Sequence, residues 1–278
     1  MKRTIACLKW GTKFPPDYVN VLHRACRANL KGEFRFVCMT DDGTGLDPEI
    51  DVLPFPDFKV PRKTWRHSCF PKIGLLAPGV LDDDEVVLHL DLDILVRGDL
   101  QPFFDLYAEK PAFYSLREWN PAIYRTAVPL SMRPDRGTQG SVYLYRVGDQ
   151  RHMFHEFNDN IEWVFANYRS DRQYFPTIAK DPTYFPYDWI VSFKNHCLWY
   201  WPLNKVFTEP KAPASSKIVV FHGDPKPSDL FGPDGRRWGT SRKFGFGPVP
   251  WVRDYWTGYG GRLDVDTGPG ERVVARPE

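Results

Sequence analysis

The opening of the chain has the pattern of a β-α-β unit. An apolar run from Thr4 to Leu8 comes first, and Gly11 soon after it favours a loop. Asp17 is the expected N-cap of a helix, and Phe34 to Met39 form a second strand-like run that stops at the polar residues 40–43. Two strands joined through a helix build a parallel sheet, so the pattern predicts an α/β fold.

Ligands of such sheets gather where the carboxyl ends of the strands meet. Lys9 to Lys13 and Thr40 to Asp42 are therefore predicted to face one crevice. Apolar position spacing predicts one long amphipathic helix over residues 154–168. Further strands are predicted at Val86–Val96, Ala112–Leu116, Val142–Arg146 and Lys217–Phe221.

Composition narrows the class of protein. The 278 residues, 42% hydrophobic and 26% charged, predict a single domain over residues 1–260. Residues 261–278 are Gly-rich and charged, which predicts a flexible C-terminal tail.

A net charge of +2 gives no basis for binding nucleic acid. Five cysteines without a C-x-x-C pair indicate reduced thiols, and the absence of a long apolar run predicts a cytoplasmic protein without a transmembrane segment.

The most informative chemical motif is the pair Asp91 and Asp93 in the apolar run that begins at Val86. Strand side chains alternate, so both carboxylates are predicted to point to the same side. Adjacent carboxylates repel, and a Mg²⁺ or Mn²⁺ ion bound through them keeps positions open for substrate phosphates. The alternative is an exposed strand end with two ordinary aspartates. The acidic residues 82–85 rival the pair in charge, but four successive acids favour a solvated loop.

A second motif is a strand that delivers His222 to a turn. Gly223 permits close approach of the backbone, and Lys226 places a cation where a phosphate can bind. Imidazole is a suitable Mn²⁺ ligand, so His222 is expected to complete a site begun by Asp91 and Asp93. The alternative is a purely structural His-Gly turn.

These motifs resemble those of the GT-A glycosyltransferases, most closely the family that contains glycogenin, galactinol synthase and the bacterial lipopolysaccharide galactosyltransferases. The likeness covers most of residues 3–256 and includes Cys7 to Gly11, Thr40 to Asp42, the D-x-D motif and Phe221 to Pro227. It implies a Rossmann-like, mostly parallel central sheet flanked by helices. It also implies transfer of a sugar from a nucleotide diphosphate sugar, expected to be a UDP-sugar, to a carbohydrate or lipid-linked acceptor.

The resemblance further implies roles for single residues. Asp91, Asp93 and His222 would be ligands of Mn²⁺ or Mg²⁺, and Lys226 would contact the diphosphate. The residues expected to bind the donor are Lys9, Trp10, Gly11, Thr40, Asp41, Lys72, Leu92, Gln139, Gly223 and Lys226.

The candidates for catalysis are Asp171, Gln173 and Asp188. The family's Asp-Gln pair appears here as Asp171-Arg172-Gln173, and the usual Asn-Ser or Asn-Ala segment appears as residues 139–141, Gln-Gly-Ser. The resembling family retains the anomeric configuration. An inverting enzyme needs one well-placed carboxylate as base, for which Asp171 or Asp188 could serve, so the stereochemistry stays open.

Alternatives also remain for other side chains. Lys72 either reaches the diphosphate or extends along the surface from the start of a helix. Trp10 or Tyr18 either stacks on the nucleobase or packs in the core. His89 either orients a metal ligand or is an ordinary core histidine.

Two other functions compete with glycosyl transfer. A nucleotidyltransferase, which makes sugar nucleotides, is suggested by a faint likeness of Gly11 to Pro15 to the glycine-rich start of such enzymes. A non-catalytic carbohydrate or nucleotide binder would suit the 15% aromatic content.

Overall fold

Ten strands form two sheets in the part of the chain described by the computed structural model, which comprises residues 1–65, 69–207, 209–231, 237–239 and 244–265. The larger sheet contains Lys2–Lys9 (β1), Arg35–Thr40 (β2), Asp51–Leu53 (β3), Glu85–Leu90 (β4), Phe113–Arg117 (β6), Thr138–Arg146 (β7) and Pro182–Tyr184 (β8). The smaller sheet contains Ile94–Val96 (β5), Ile190–Ser192 (β9) and Ile218–Val220 (β10). The strand orders are β3-β2-β1-β4-β7-β6-β8 and β5-β10-β9.

Parallel pairing dominates the larger sheet. β1 pairs in parallel with β2 and β4, β2 with β3, and β6 with β8, whereas β7 runs antiparallel to β4 and β6. Lys9 lies opposite Thr40 in this register, and the N–H of Gly11 donates to both carboxylate oxygens of Asp41 at 3.2 and 3.3 Å. The mostly parallel α/β sheet is thus confirmed, and the loops after β1 and β2 contact each other at the carboxyl ends of these strands.

Helices cover both faces of the larger sheet. The α-helices are Pro16–Asn29 (α1), Gln101–Glu109 (α2), Ala122–Ala127 (α3), Val147–Gln150 (α4), His152–Asp159 (α5), Ile161–Asn167 (α6), Asp171–Ile178 (α7) and Pro250–Gly258 (α8). A 3-10 helix at Phe70–Leu76 is buried along its whole length. Among the helices described, none combines the length and the apolar character needed to cross a membrane.

The core has one layer on each face of the larger sheet. Ile5 and Cys7 of β1 point into the layer shared with α1, whereas Ala6 and Leu8 point into the layer shared with the 3-10 helix Phe70–Leu76. This alternation follows from strand geometry. Because both faces are covered, β4 is buried at every residue and reads as a continuous apolar run apart from Glu85 and His89.

Two helix predictions are wrong in detail. Asp17 is not the N-cap: the cap is Pro15, and Pro16 begins α1 because its fixed φ suits the first helical position. The long helix predicted over residues 154–168 is two helices, α5 and α6, separated at Asn160 with φ −119° and ψ 25°. The side-chain amide of Asn160 donates to the carbonyl of Glu156 at 2.9 Å, a local contact of the kind that competes with helix continuation.

The predicted strand Val86–Val96 is also two strands. β4 ends at Leu90, and β5 begins at Ile94 in the other sheet. The residues between them, 91–93, include both aspartates of the D-x-D motif. An apolar run gives no sign of this break, because both strands are buried.

None of the five cysteines, all of which lie in the described part of the chain, forms a disulfide, as their spacing predicts. Of the predicted tail, residues 266–278 lie outside the described part of the chain. Before them, Arg262 donates to the carboxylate of Asp17 at 3.0 and 3.1 Å, and Val265 is buried in the core layer that contains α1.

Candidate active site

The two aspartates of the D-x-D motif lie where the chain passes from one sheet to the other. The N–H of Asp91 donates to the carbonyl of Ser141 in β7 at 2.9 Å. The carbonyl of Asp93 accepts from the N–H of Phe221, just after β10, also at 2.9 Å. Asp91 is thereby fixed to the larger sheet and Asp93 to the smaller one. Strand alternation, the basis on which the pair was predicted to share a side, does not apply in this passage.

Asp91 shares a buried lysine with Asp171. The Nζ of Lys72 lies 2.9 Å from Asp91 Oδ1 and 3.1 Å from Asp171 Oδ2, and it donates to the carbonyl of Gly140 at 2.6 Å. Burial would lower the pKa of Lys72, but the two carboxylates raise it above its ordinary value. An ammonium group has three donors, and here each has an acceptor. This arrangement differs from both placements considered for Lys72 from the sequence.

Two further buried side chains hold this charge cluster in place. His89 Nε2 lies 3.3 Å from Asp91 Oδ1, and the hydroxyl of Tyr143 donates to Asp171 Oδ2 at 3.2 Å. Burial would raise the pKa of Asp91, but the Lys72 ammonium and His89 hold it well below its usual range. Burial, together with the charge of Asp91, raises the pKa of Asp171, although the nearby Lys72 ammonium lowers it. His89 is thus both a core residue and a contact of Asp91.

Asp93 is paired with a different lysine. The ammonium of Lys226 bonds to the Asp93 carboxylate and donates to the carbonyl of Phe221 at 3.2 Å. The backbone N–H of Lys226 donates to Asp229 Oδ2 at 2.8 Å, which fixes the start of the 3-10 helix that follows. Lys226 therefore stands beside the D-x-D motif, close to where the sequence analysis expected it.

His222 is a neutral imidazole just after the end of β10, the central strand of the smaller sheet. Its Nε2 lies 2.8 Å from the hydroxyl oxygen of Ser192, and its ring stacks on Trp119 with centroids 5.0 Å apart and planes 24° from parallel. Burial and the charges of Lys194 and Lys226 lower the pKa of His222 to about 3. The imidazole is thus in the unprotonated form that a metal ligand requires.

The donor set of Asp91, Asp93 and His222 matches in kind what Mn²⁺ takes, namely carboxylate oxygens and an imidazole nitrogen. Backbone pairing brings His222 next to Asp93, because the preceding residue, Phe221, bonds to Asp93. No three His, Cys, Asp or Glu side chains of the described residues are gathered closely enough to hold a metal ion as they stand. The three side chains instead bond to a lysine or a serine. They fit the ion in donor chemistry, and binding it requires these contacts to be exchanged.

The loops after β1 and β2 form the other part of the crevice. The ammonium of Lys9 is buried and donates to the carbonyl of Asp42 at 3.0 Å, and the hydroxyl of Thr40 donates to the same carbonyl, also at 3.0 Å. Arg62 contacts Asp41 at 2.7 Å. Gly11 has φ +58°, a conformation that glycine adopts without strain.

The two aromatic candidates for stacking differ in their surroundings. Trp10 is partly buried and meets Phe55 and Trp65 edge-on, with centroids 6.4 and 6.1 Å away. Tyr18 is 1% exposed, and its hydroxyl donates to Ser228 at 2.9 Å. Tyr18 is therefore a core residue, and only Trp10 retains an edge toward the crevice loops.

The other predicted donor contacts are buried or lie in the turn after β10. Leu92 belongs to a core layer and is 5% exposed. The Gln139 side chain is turned onto its own strand, where its oxygen accepts from the N–H of Ser141 at 2.6 Å. Gly223 has φ +65° and begins the turn that leads to Lys226.

The three predicted catalytic residues do not come together equally. Asp171, the first residue of α7, is 3% exposed and lies in the Lys72 cluster. Gln173 is exposed, and its side-chain oxygen accepts from the N–H of Arg169 at 2.9 Å. Asp188 is exposed in the turn before β9.

Several side chains of the site were missed by sequence reasoning. Trp119, Tyr143, Ser192 and Lys194 all touch or face the predicted residues. A fully buried tryptophan and a serine in a short buried strand carry no local pattern that separates them from core residues. The odd position of Lys194, two residues after an apolar strand, is the one signal that was available.

No family model matches the chain. No curated protein matches it either. Among solved structures, the chain is similar to the galactosyltransferase LgtC in complex with donor and acceptor sugar analogues, with 13% identity, a TM-score of 0.56, and coverage of 92% of this chain and 95% of that one. The glycosyltransferase GlyE of Streptococcus pneumoniae TIGR4 is similar at 15% identity and a TM-score of 0.56, with 96% of this chain and 62% of that chain covered.

The bifunctional glycosyltransferase WbbM is a third similar structure, at 12% identity and a TM-score of 0.52 over 82% of this chain and 47% of that one. These identities are low, so the likeness lies in the arrangement of strands and helices. The sheet order and the mostly parallel pairing agree with it. The chain therefore has the fold of the GT-A glycosyltransferases, as a divergent example of it.

Proposed function

We propose that the protein is a glycosyltransferase that moves a sugar from a nucleotide diphosphate sugar, with UDP as the nucleotide, to a carbohydrate acceptor. The observation that carries the proposal is that Asp93 bonds to Lys226 and pairs through its carbonyl with Phe221, the residue before His222, while Asp91 lies two residues away in the same passage between the sheets. Acidic metal ligands, a neutral imidazole and a cation suit a substrate whose leaving group is a diphosphate. The galactosyltransferase of the same fold, bound to donor and acceptor sugar analogues, supports the same class of reaction.

In this proposal Lys226 contacts the diphosphate. The side chain of Lys226 is 10% exposed, and its ammonium bonds to Asp93. A donor phosphate would share this ammonium with the Asp93 carboxylate. Contacts between an ammonium and a phosphate are charge-assisted and stronger than neutral hydrogen bonds. Lys226 would therefore stabilise the diphosphate both in the bound donor and as its bond to the sugar breaks.

Asp91, Asp93 and His222 would hold Mn²⁺ or Mg²⁺. When bound, the ion supplies positive charge to the departing diphosphate. The protein's own part is to keep Asp91 and His222 unprotonated. Lys72 lowers the pKa of Asp91, and burial lowers the pKa of His222.

Asp171 is the residue we propose to act next to the donor sugar. Of the three predicted catalytic residues, it is the one that shares Lys72 with the D-x-D motif. Tyr143 donates to the same carboxylate and fixes its direction. Gln173 and Asp188 are exposed and lack such contacts among the described residues.

The test is a nucleotide-release screen across sugar nucleotides, with and without Mn²⁺. Turnover of one sugar nucleotide that rises with Mn²⁺ would support the proposal. A matched variant, Asp171→Asn, keeps the shape of the side chain and should lower turnover. Binding of sugar nucleotides without any turnover would favour the non-catalytic binder. Release of pyrophosphate from a nucleoside triphosphate and a sugar phosphate would favour the nucleotidyltransferase.

A further inference from the structure

Three lysines from separate segments lie around the turn at Gly223. Lys13 follows β1, Lys194 lies in the helical turn after β9, and Lys226 lies in the turn after β10. The ammonium groups of Lys13 and Lys226 lie 5.2 and 5.9 Å from the centroid of the same ring, Phe14. A Cβ atom on Gly223 would lie 3.4 Å from the Nζ of Lys194. The three cations thus surround one turn at the carboxyl ends of the strands.

These cations are poorly neutralised. Lys226 pairs with Asp93, whereas neither Lys13 nor Lys194 has a carboxylate within ion-pair distance among the residues the structure describes. Desolvation and the charge of Lys226 lower the pKa of both Lys13 and Lys194 below the ordinary 10.5. Like charges held close together raise the free energy of the folded protein, and the nearby charges of Asp93 and Asp224 offset this only in part. An anion bound between them would remove that cost.

The backbone of the turn is suited to close approach. Gly223 has φ +65° and no side chain, so the space next to Lys194 stays open. The Phe14 ring lies next to two of the ammonium groups, and the side chain of one of them, Lys226, is only 10% exposed. Fewer competing waters strengthen the attraction between an ammonium and an anion.

We infer that Lys13 and Lys194 act together with Lys226 as a lysine cluster that binds the two phosphates of a diphosphate ester. The inference rests on the proposed function and adds two residues to its donor site. Three cations near one turn suit two adjacent phosphates better than they suit a single carboxylate. A single carboxylate needs only one lysine, as Asp93 shows by its pairing with Lys226. The role of Lys13 and Lys194 is to bind and orient the diphosphate.

The experiment is calorimetric titration of UDP and of inorganic pyrophosphate at one fixed Mg²⁺ concentration. Lys13→Ala and Lys194→Ala are each expected to weaken both ligands about tenfold, the lower end expected for a lost charge-assisted contact. Lys110→Ala is the control, because it removes the same charge from an exposed position at the end of α2. Lys13→Arg and Lys194→Arg should keep most of the affinity. Thermal unfolding checks that each variant is folded.

The possible outcomes separate this inference from the proposed function. Weaker pyrophosphate binding in the alanine variants, with no turnover of any sugar nucleotide by the wild type, supports the lysine cluster and contradicts glycosyl transfer. Turnover by the wild type, with alanine variants that bind within twofold of it, overturns the lysine cluster and leaves glycosyl transfer standing. An equal loss in Lys110→Ala, or a wild type that binds neither ligand, also overturns the lysine cluster.

Discussion

Each aspartate of the D-x-D motif has its own lysine, and the two pairs differ in their surroundings. Lys72 is 5% exposed in its side chain and bonds to two carboxylates and a carbonyl. Lys226 is 10% exposed and lies beside the open turn at Gly223. Partners of a buried charge are costly to remove, whereas a partner at an open edge can be exchanged for a ligand. Lys72 is therefore a residue of the framework, and Lys226 is a residue of the binding site.

Replacing Asp93 with asparagine tests whether the D-x-D motif acts in the transition state. Negative charge grows on the diphosphate as its bond to the sugar breaks, so contacts that offset this charge strengthen along the reaction. Asp93→Asn should lower turnover by at least about a hundredfold, roughly 3 kcal/mol of barrier. Donor affinity should fall by a smaller factor. Steady-state nucleotide release at saturating Mn²⁺ measures the first quantity, and calorimetry with the donor measures the second. Wild-type turnover in this variant would remove Asp93 from catalysis.

Replacing Lys72 with methionine tests the framework role. The substitution leaves Asp91 and Asp171 side by side without their common cation. Breaking a buried ion pair costs about 3–5 kcal/mol, so the free energy of unfolding should fall by about that amount. Urea denaturation measures it. The double variant Lys72→Met with Asp171→Asn should recover part of the loss, since one unpaired charge is gone. A Lys72→Met variant as stable as the wild type would contradict the framework role.

His23 makes the stability of the protein depend on pH. Its side chain is 6% exposed, and burial lowers its pKa below the ordinary 6.5 even though Asp47 lies 3.6 Å away. The unfolded chain therefore takes up a proton on His23 as the pH falls through 6.5, whereas the folded chain stays neutral there. Stability is fully present above this pH and decreases below it.

Urea denaturation of the wild type at neutral and at mildly acidic pH measures this loss. His23→Gln removes the titrating group and should lose less stability over the same interval. The difference between the two proteins is the contribution of His23, because all other titrating groups are shared. An identical loss in both would show that His23 is protonated equally in the folded and unfolded states.

At the scale of elements, local patterns predicted the parts of the fold that depend on local interactions. The strands β1 and β2 and the connection through α1 follow from apolar runs separated by turn residues. The break between β4 and β5 could not be predicted, because both strands are buried and the break is set by pairing with β7 and β10. The division between α5 and α6 falls at Asn160, and the regular spacing of apolar residues on both sides gives no sign of it.

The same distinction applies to the site. Asp91, Asp93 and His222 were singled out because they are polar residues within or directly after apolar runs, a pattern that can be read from the sequence even where the strand break cannot. Lys72 was expected to reach either a phosphate or the surface, because no sequence pattern shows that two carboxylates distant in the chain close around one ammonium. Trp119 was missed for the same reason, since its contact with the imidazole is made across elements.

The turn after β10 allows a matched pair of glycine substitutions. Gly223 and Gly79 both have positive φ, +65° and +77°, so an alanine at either position is strained. Each variant should lose about 1 kcal/mol of stability. A Cβ at Gly79 meets nothing within 4 Å, whereas one at Gly223 lies 3.4 Å from Lys194 Nζ. Only Gly223→Ala should also weaken UDP binding, measured by calorimetry. Equal UDP affinity in the two variants would show that the turn does not contact the ligand.

At the scale of the whole molecule, the two sheets are joined at the strand edge that carries the site. Among the described residues, several contacts cross from one sheet to the other near the D-x-D motif. Asp91 and Asp93 are the connection in the chain itself, and Trp119, which follows β6, stacks on His222 after β10 and donates to the carbonyl of Ile190 in β9 at 3.1 Å. These contacts lie beside the predicted ligands, and the two sheets also share an apolar core layer.

Because residues 91–93 connect the two sheets, a ligand bound by both aspartates would hold the sheets together. Such a ligand would be attached to the larger sheet through Asp91 and to the smaller sheet through Asp93. The two sheets could then separate only after the ligand had dissociated from one of the carboxylates. Binding is linked to any opening that the ligand opposes. Backbone amides of β5, β9 and β10 should therefore exchange with deuterium more slowly when UDP and Mn²⁺ are present. Slowing confined to the loops after β1 and β2 would show that the ligand is held from one side only.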